Sequence, residues 1–393
     1  MQKSRIDELI KIYRDGLLHD TVPFWLRNAT DHEYGGFFNY LDREGKVYGT
    51  DKSVWLLCRF TWLLSILYCE VEKKKLWLDA AASTIDFIEK HCFDADGRMF
   101  FEVTREGKPL RKRRYVFSET FGTIAFARYA QAANDKSRLE KAKSIFKTIL
   151  CYYNNPQLLP PKYYPQSFQA KSHAMPMIII ATAQQLRKVW QDQLIEDTIT
   201  RCMQEVFEHF MKPDLKALLE NVGPNGEFIN SPVGRCVNPG HAIETSWFIL
   251  EEYRHRKDPE LLSNALQILD WSLEIGWDNE FGGIRYFADV KGHPCIQYEH
   301  DMKLWWPHNE AIYATLLAYY LTKEKRYLDW FEKVHGYTYS HFPDPEYGDW
   351  IKYLHRDGTV STTLKANGWA GSFHLPRMQL KCWQLLEKMK ASM

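Results

Sequence analysis

The sequence predicts an all-α protein: a closed ring of six helical pairs, with short β-hairpins gathered on one side. Three observations carry this expectation. A short phrase recurs along the chain, helical stretches come in pairs between its copies, and the first helix of each pair is apolar on most faces.

The phrase appears as "DHEYGGFFNYLDREGKV" near the N-terminus and returns as "DNEFGGIRYFADVKGHP" around residue 280. Weaker copies are "DGRMFFEVTREGKPL", "KALLENVGPNGEFI" and "YGDWIKYLHRDGTV". Each alternates apolar and polar residues around a turn glycine, the pattern of a hairpin. The turn glycines Gly45, Gly107, Gly226, Gly292 and Gly358 are 62, 119, 66 and 66 residues apart. The second gap is about twice the others, so one hairpin is missing from a six-fold series.

Between the copies the hydrophobic period becomes helical, as in "VWLLCRFTWLLSILYCEV", "ETFGTIAFARYAQAAN", "AMPMIIIATAQQLRKVW", "AIETSWFILEEYRHR" and "NEAIYATLLAYYLTKE". A second, more charged helix follows each, for example "DPELLSNALQILDWSLEIG" or "KEKRYLDWFEKVHG". One such pair cannot bury its apolar face alone, so neighbouring units must stack to complete the core. Helices apolar all round belong on an inner wall and charged ones outside, which favours closure into a ring over an open solenoid. One domain spanning residues 1–393 is expected.

Composition removes several classes of function. The chain has 393 residues, 45% hydrophobic and 26% charged, with a formal net charge of +1. Nothing in that balance attracts nucleic acid or an anionic membrane. The run "RKRR", Arg111 to Arg114, reads as a solvated loop. The N-terminal "MQKSRIDELIKIYRDGLL" is an amphipathic helix without an apolar h-region, and no apolar run approaches the ~20 residues of a membrane span. The eight cysteines lie apart, at 58, 69, 92, 151, 202, 236, 295 and 382, without a CxxC pair. Reduced thiols and a cytoplasmic setting are expected. Aromatic content is high at 15%, with 14 Trp and 22 Tyr, and flat rings are surfaces on which sugars are held.

Counting on from each turn glycine locates a candidate site. Arg59 lies 14 residues on, Glu119 lies 12, His241 lies 15, Glu310 lies 18 and His374 lies 16. His173 stands at the matching place in the unit without a hairpin. Every inner helix thus carries an ionisable residue near its N-terminal end, and in a closed ring those ends converge on one cavity. In "NPGHAIETSW", Glu244 follows His241 at three residues and shares its helix face. Burying six chargeable groups without a purpose would cost several kcal/mol apiece unless they were paired.

The residue types narrow the chemistry. His241, Glu244 and His374 do not complete a persuasive metal-ligand set, and no HExxH is present, so no metal is expected. There is no GxGxxG after a strand, no GxxxxGK[ST] and no GxSxG elbow. Histidines with a carboxylate and an arginine suit proton transfer near neutral pH, histidine's unperturbed pKa being about 6.5.

"YGGFFNYLDREGKVYGTDKSVWLLCR", "NPGHAIETSW", "KLWWPHNEA" and "GSFHLPR" together resemble the N-acylglucosamine 2-epimerase family, in order and over nearly the whole chain. The resemblance implies an (α/α)6 barrel, in agreement with the six pairs counted above. It implies His241 and His374 as the acid/base pair, with Arg59, Glu244, Glu310 and Arg377 around a sugar substrate. Trp305, Trp306 and Trp369 are candidates for stacking against the sugar or for core packing, and His173 joins the substrate-binding set by its offset. Inversion at C2 of an open-chain sugar needs one base on one face and an acid on the other, a task for two histidines in opposite protonation states. Arg59 and Arg377 suit stabilisation of the developing oxyanion, and Glu310 suits setting a histidine's protonation or holding hydroxyls. The activity implied is interconversion of N-acetylglucosamine and N-acetylmannosamine. Nitrogen on C2 leaves no hydroxyl through which the intermediate can become an ordinary ketose.

Relatives in the resemblance include cellobiose 2-epimerases and aldose–ketose isomerases, so the motifs name the chemistry better than the sugar. A glycoside hydrolase on the same kind of barrel, using two of Glu119, Glu244 and Glu310, is the runner-up. A non-catalytic sugar-binding protein is the third reading. The resemblance further implies a homodimer and, as in some relatives, stimulation by ATP that is not consumed. The stretch "NNPQLLPPKYYPQSFQAKSH" is where a nucleotide site is expected.

Overall fold

The computed structural model describes residues 1–393. The chain opens with α1 (Lys3–Asp15), which runs through a π-helical turn (Gly16–Thr21) into α2 (Val22–Ala29). Five antiparallel pairs follow: α3 (Val54–Glu70) with α4 (Lys75–His91), α5 (Phe117–Ala133) with α6 (Lys136–Asn154), α7 (Ala174–Arg187) with α8 (Gln193–Glu205), α9 (Pro239–Arg256) with α10 (Pro259–Gly276), and α11 (Trp305–Thr322) with α12 (Lys325–His341). The last helix, α13 (His374–Ala391), packs on α1, so the two chain ends together make the sixth pair.

The division into inner and outer walls follows from residue pattern. In α11 fourteen consecutive residues, Trp305 to Ala318, are buried, as an inner-wall helix with neighbours on every side requires. Its partner α12 buries only Tyr327, Phe331, Val334, His335 and Thr338, a single stripe at helical spacing. The ring closes between α3 and α13, where Trp62 meets Phe373 with ring centroids 5.4 Å apart and Gln384 donates to Glu70 at 3.2 Å. Ser53 Oγ and Trp55 Nε1 donate to the Gly368 carbonyl at 3.3 and 3.2 Å across the same seam. The result is an (α/α)6 barrel with a contiguous core of 99 buried residues drawn from all six pairs. No helix is long and apolar enough to cross a membrane, and all eight cysteines are free.

The strands amend the hairpin expectation. Gly45, Gly107 and Gly358 turn true hairpins: Tyr40–Leu41 with Val47–Gly49, Glu102–Val103 with Pro109–Arg111, and Tyr353–Leu354 with Val360–Thr362. The segments before Gly226 and Gly292 pair with other units instead. Asn221–Val222 takes Lys171–Ser172 as its partner, and Ala288–Asp289 takes Cys236–Val237. The unit without a hairpin is thus tied to the next one by that strand, while 155–172 contributes otherwise only a 3-10 turn (Pro156–Leu158) and irregular chain.

The recurring acidic lead has a structural role. Asp31, Asp278 and Asp344 each accept from a lysine whose side chain is fully buried, Lys52 at 2.9 Å, Lys303 at 2.8 Å and Lys365 at 2.9 Å. A loop arginine joins each pair: Arg105, Arg356 and Arg43. Lys52 and Lys303 lie just before α3 and α11, so the buried pair fastens the start of an inner helix to the loop beneath it. Burial opposes ionisation of these aspartates, but the cations outweigh it and hold all three well below the ordinary carboxylate range.

Candidate active site

A cavity of about 530 Å³ lies where the N-terminal turns of all six inner helices converge. Trp55 and Arg59 come from α3, Phe117 and Phe121 from α5, Met177 and Ile178 from α7, His241 and Glu244 from α9, Trp305 and Trp306 from α11, and His374 from α13. Each helix directs the positive end of its dipole at this space, a field that favours negative charge in a bound molecule. A larger cavity of about 950 Å³ opens at the opposite end, beside Glu70, Lys188 and Lys381, where neither His241 nor His374 reaches.

His241 sits in the first turn of α9. Its backbone N–H is capped by Asn238 Oδ1 at 3.1 Å, and Nδ1 lies 3.1 Å from Glu220 Oε1. An ionised carboxylate only accepts, so Nδ1 carries a proton and Nε2 faces the cavity. Burial works against the imidazolium, but the Glu220 carboxylate prevails and raises His241 above the ordinary histidine range.

His374 is the first residue of α13, and its Nδ1 donates to Glu310 Oε1 at 2.7 Å. Here the balance has the opposite sign. Burial comes first, Arg377 and Arg59 add positive charge, and His374 is held well below the ordinary range. Glu310 is shared among His374, Arg377 at 2.7 Å and Trp247 Nε1 at 2.8 Å, so its charge is already compensated. The two histidines are therefore shifted in opposite directions, His241 toward the charged form and His374 toward the neutral one. Both pack against one indole: Trp306 has ring centroids 5.2 Å from His241 and 5.4 Å from His374.

Arg59 is enclosed by rings rather than carboxylates. Its guanidinium carbon lies 4.0 Å from the centroid of Phe121, 4.6 Å from Trp55 and 4.7 Å from Phe373. Its buried Nε has no hydrogen-bond partner. Burial pushes its pKa down to about 9, still high enough to keep the charge at neutral pH. An under-compensated cation at the wall of a cavity is a receptor for developing negative charge.

Trp305, Trp306 and Trp369 all line the cavity, the first two buried and Trp369 49% exposed at its rim. Four of the candidates do not line this cavity. His173 is fully buried behind His241, where its Nε2 meets Thr245 Oγ1 at 2.9 Å, and it does not reach the cavity. Glu310 stands behind His374 and touches it rather than the open space. Arg377 lies beside a void of about 30 Å³ next to the main cavity, its NH2 group bonded to Glu244 at 2.5 Å and to Glu310 at 2.7 Å. Glu119 is likewise structural, bonded to Arg98 Nε at 2.5 Å and to the backbone of Met99 at 3.0 Å.

Glu244, Glu310 and His374 put three ligand atoms within 4.8 Å of one another. The Arg377 NH2 group occupies the position between them, 3.4 Å from His374 Nδ1 as well. The "RKRR" run is not wholly solvated either. Lys112 pairs with Asp94 and Asp96, and Arg113 lies over the Trp369 ring at 4.9 Å on the cavity rim.

Sequence reasoning missed Glu220, Tyr286 and Glu299. Glu220 had one legible signal, a carboxylate inside the apolar alternation "ALLENV". Tyr286 and Glu299 line the cavity from the segment between α10 and α11, which carries no helical register to count from.

A helical barrel with a histidine pair and an unpaired arginine at the mouth of its inner helices has the make-up of a proton-transfer enzyme acting on a small polar substrate. The family model for N-acylglucosamine 2-epimerase (GlcNAc 2-epimerase) matches residues 36–375. The bovine N-acylglucosamine 2-epimerase is 34% identical over 400 residues, covering 99% of this chain and 94% of that protein. The mouse enzyme of the same name is 32% identical, with 98% and 94% covered. A cellobiose 2-epimerase from Bacillus thermoamylovorans superposes with a TM-score of 0.84 at 21% identity, over 97% of this chain and 100% of that one, a likeness of fold. The chain belongs to the N-acylglucosamine 2-epimerase family, a family of carbohydrate epimerases.

Proposed function

We propose that this protein interconverts N-acetyl-D-glucosamine and N-acetyl-D-mannosamine by moving the C2 proton of the open-chain sugar. The observation that carries the reading is the pair of histidines at the cavity wall, each ring backed by its own carboxylate yet shifted in opposite directions. Neutral His374 presents the Nε2 lone pair as base. It takes the C2 proton, and the C–H electrons move into the C1 carbonyl to give an enolate. Arg59 and the converging helix dipoles stabilise that oxygen. Imidazolium His241 then donates its Nε2 proton to C2 from the other face, leaving the C1 aldehyde restored and the two histidines exchanged in state. The reverse direction uses the same groups in opposite roles.

The apolar group Phe117, Phe121, Met177 and Ile178 in the lining supports an N-acyl substituent on C2. A hydrolase is disfavoured because Glu244 and Glu310 are both bonded to Arg377, leaving neither free as a proton donor to a glycosidic oxygen. Catalysis requires no resident metal, since Arg377 fills the one position where ligand atoms converge; treatment with a chelator is expected to leave the rate unchanged, and a loss reversed by zinc counts against it. A homodimer and allosteric activation by ATP belong to the same proposal and rest on the family resemblance alone, while a cytoplasmic setting is inferred from the eight dispersed cysteines.

The test is incubation of N-acetylglucosamine with the protein in deuterated water, read by NMR. Deuterium at C2, together with appearance of the manno epimer, is the expected result. Epimerisation of cellobiose or free mannose in a parallel panel, with none of the acetylated sugar, would transfer the activity to another sugar of the same chemistry.

A further inference from the structure

Glu220 lies between the strand Ala217–Leu218 and the strand Asn221–Val222, 21 residues before His241. Its backbone is held on both sides: the carbonyl accepts from His173 N at 3.0 Å, and the amide donates to the Cys236 carbonyl at 3.1 Å. The carboxylate therefore has little freedom to follow solvent, and its side chain is only 12% exposed. It contacts two imidazoles, His241 at 3.1 Å and His173 at 3.6 Å, and no lysine or arginine lies within 4.0 Å of it. The second imidazole is itself braced. Thr245 Oγ1 donates to the His241 carbonyl at 2.9 Å and accepts from His173 Nε2 at 2.9 Å, which fixes the orientation of that ring. Glu220 has no lysine or arginine among its direct contacts, and His241 is the nearer of its two imidazoles.

The contrast with the other histidine is in the cation count. His374's carboxylate, Glu310, is shared with Arg377, whereas Glu220 is shared with none. Both histidines sit in the first turn of an inner helix, where the dipole disfavours an imidazolium. Only His241 has an uncompensated carboxylate to offset it.

We infer that Glu220 is the positioning residue that decides which histidine of the pair is the acid in the resting enzyme: its carboxylate lies on His241 with no lysine or arginine to share it, while Arg377 shares Glu310 with His374. This rests on the epimerase reading for its consequence in catalysis, but not for its physical content. The other groups facing His241 across the cavity are Glu244, His374, Arg59, Tyr286 and Glu299. Of these, Glu244 adds negative charge and favours the imidazolium alongside Glu220, while His374 and Arg59 come from helices shared by wild type and variant alike. Cys236 stands on the Glu220 side, its thiol raised by burial and by that carboxylate and so neutral near pH 7.

The experiment is NMR titration of histidine-labelled protein, with the His241 signal assigned from its loss in His241→Asn. In the wild type His241 is expected to titrate above the ordinary histidine range. Glu220→Gln keeps an acceptor for Nδ1–H and removes only the charge, so His241 is expected to titrate lower while ring orientation persists. Glu220→Asp should recover part of the difference. In the same variants the alkaline limb of kcat/KM should move to lower pH, with about a tenfold loss at pH 7.5 for Glu220→Gln, and an unchanged acid limb. A His241 titration that does not move in folded Glu220→Gln overturns the inference. Should that variant fail to fold, a wild-type His241 that titrates below the ordinary range overturns it equally. Absence of C2 exchange in the wild type would refute the epimerase reading and leave the titration result standing on its own.

Discussion

Glu310 accepts a hydrogen bond from His374 Nδ1 at 2.7 Å, and the same oxygen accepts from Arg377 at 2.7 Å. The histidine is thereby fixed with its lone pair toward the cavity, and the arginine prevents the carboxylate from drawing a second proton onto the ring.

The two histidines are expected to separate by partial reaction. Replacing either by Asn should lower epimerisation by about 10³-fold or more, because asparagine cannot accept and return a proton near pH 7. His241→Asn retains His374 as base and should still exchange the C2 hydrogen of one epimer with deuterated solvent without inverting it. His374→Asn should show the complementary preference. Equal loss of exchange from both epimers in both variants would replace the two-base scheme by a single base with rotation of the sugar.

The pH dependence follows from the two opposed shifts. His374 is depressed, so the acid limb of kcat/KM should lie well below 6.5; His241 is raised, so the alkaline limb should lie above 6.5. For stability the signs are opposite as well. His241 stabilises the fold below 6.5 and that contribution is lost as pH rises through its folded value. The unfolded chain takes up a proton near 6.5 that folded His374 refuses, so stability falls as pH drops through that point. A kcat/KM profile with its acid limb at 6.5 or higher would contradict this assignment.

Arg59 tests oxyanion stabilisation. Arg59→Met keeps much of the packing against Trp55, Phe121 and Phe373 but removes the charge. A fall in kcat of about 10²–10³ with a much smaller change in KM is expected, as for loss of a group that acts on developing charge. A rise in KM at constant kcat would make Arg59 a ground-state sugar contact instead.

Asp278 tests the loop anchors. Asp278→Ala leaves Lys303 buried without its partner and should cost about 3–5 kcal/mol in urea unfolding. The double variant Asp278→Ala with Lys303→Met should recover much of that loss, since no unpaired charge then remains buried. Additive effects of the two changes would show that the pair is not coupled.

The ring was legible because its signal is local and repeated. Runs that are apolar all round, such as Trp305 to Ala318, alternate with single-striped helices such as α12, and each unit declares itself within about 60 residues. The height of the site along the barrel was legible for a related reason. A residue's distance from its turn glycine sets how far along an inner helix it stands, which placed Arg59, His241, Glu244 and His374 at one level.

Direction around the helix was not legible. Glu244 and Glu310 each stand five residues past the first residue of their helix, yet Glu244 lines the cavity and Glu310 is turned behind His374. His173 and Arg377 likewise stand at the expected height but behind the cavity lining. The rotation of each inner helix about its own axis is settled by contacts between distant segments, such as Arg377 reaching Glu244 across 133 positions. The same holds for Glu220, which meets His241 only because Asn221–Val222 pairs with Lys171–Ser172 and brings two units edge to edge. By itself the sequence determined the periods, hence the barrel and the level of its site. Which carboxylate faces which histidine was decided by packing between units, because charge pairing depends on side-chain positions that no local period specifies.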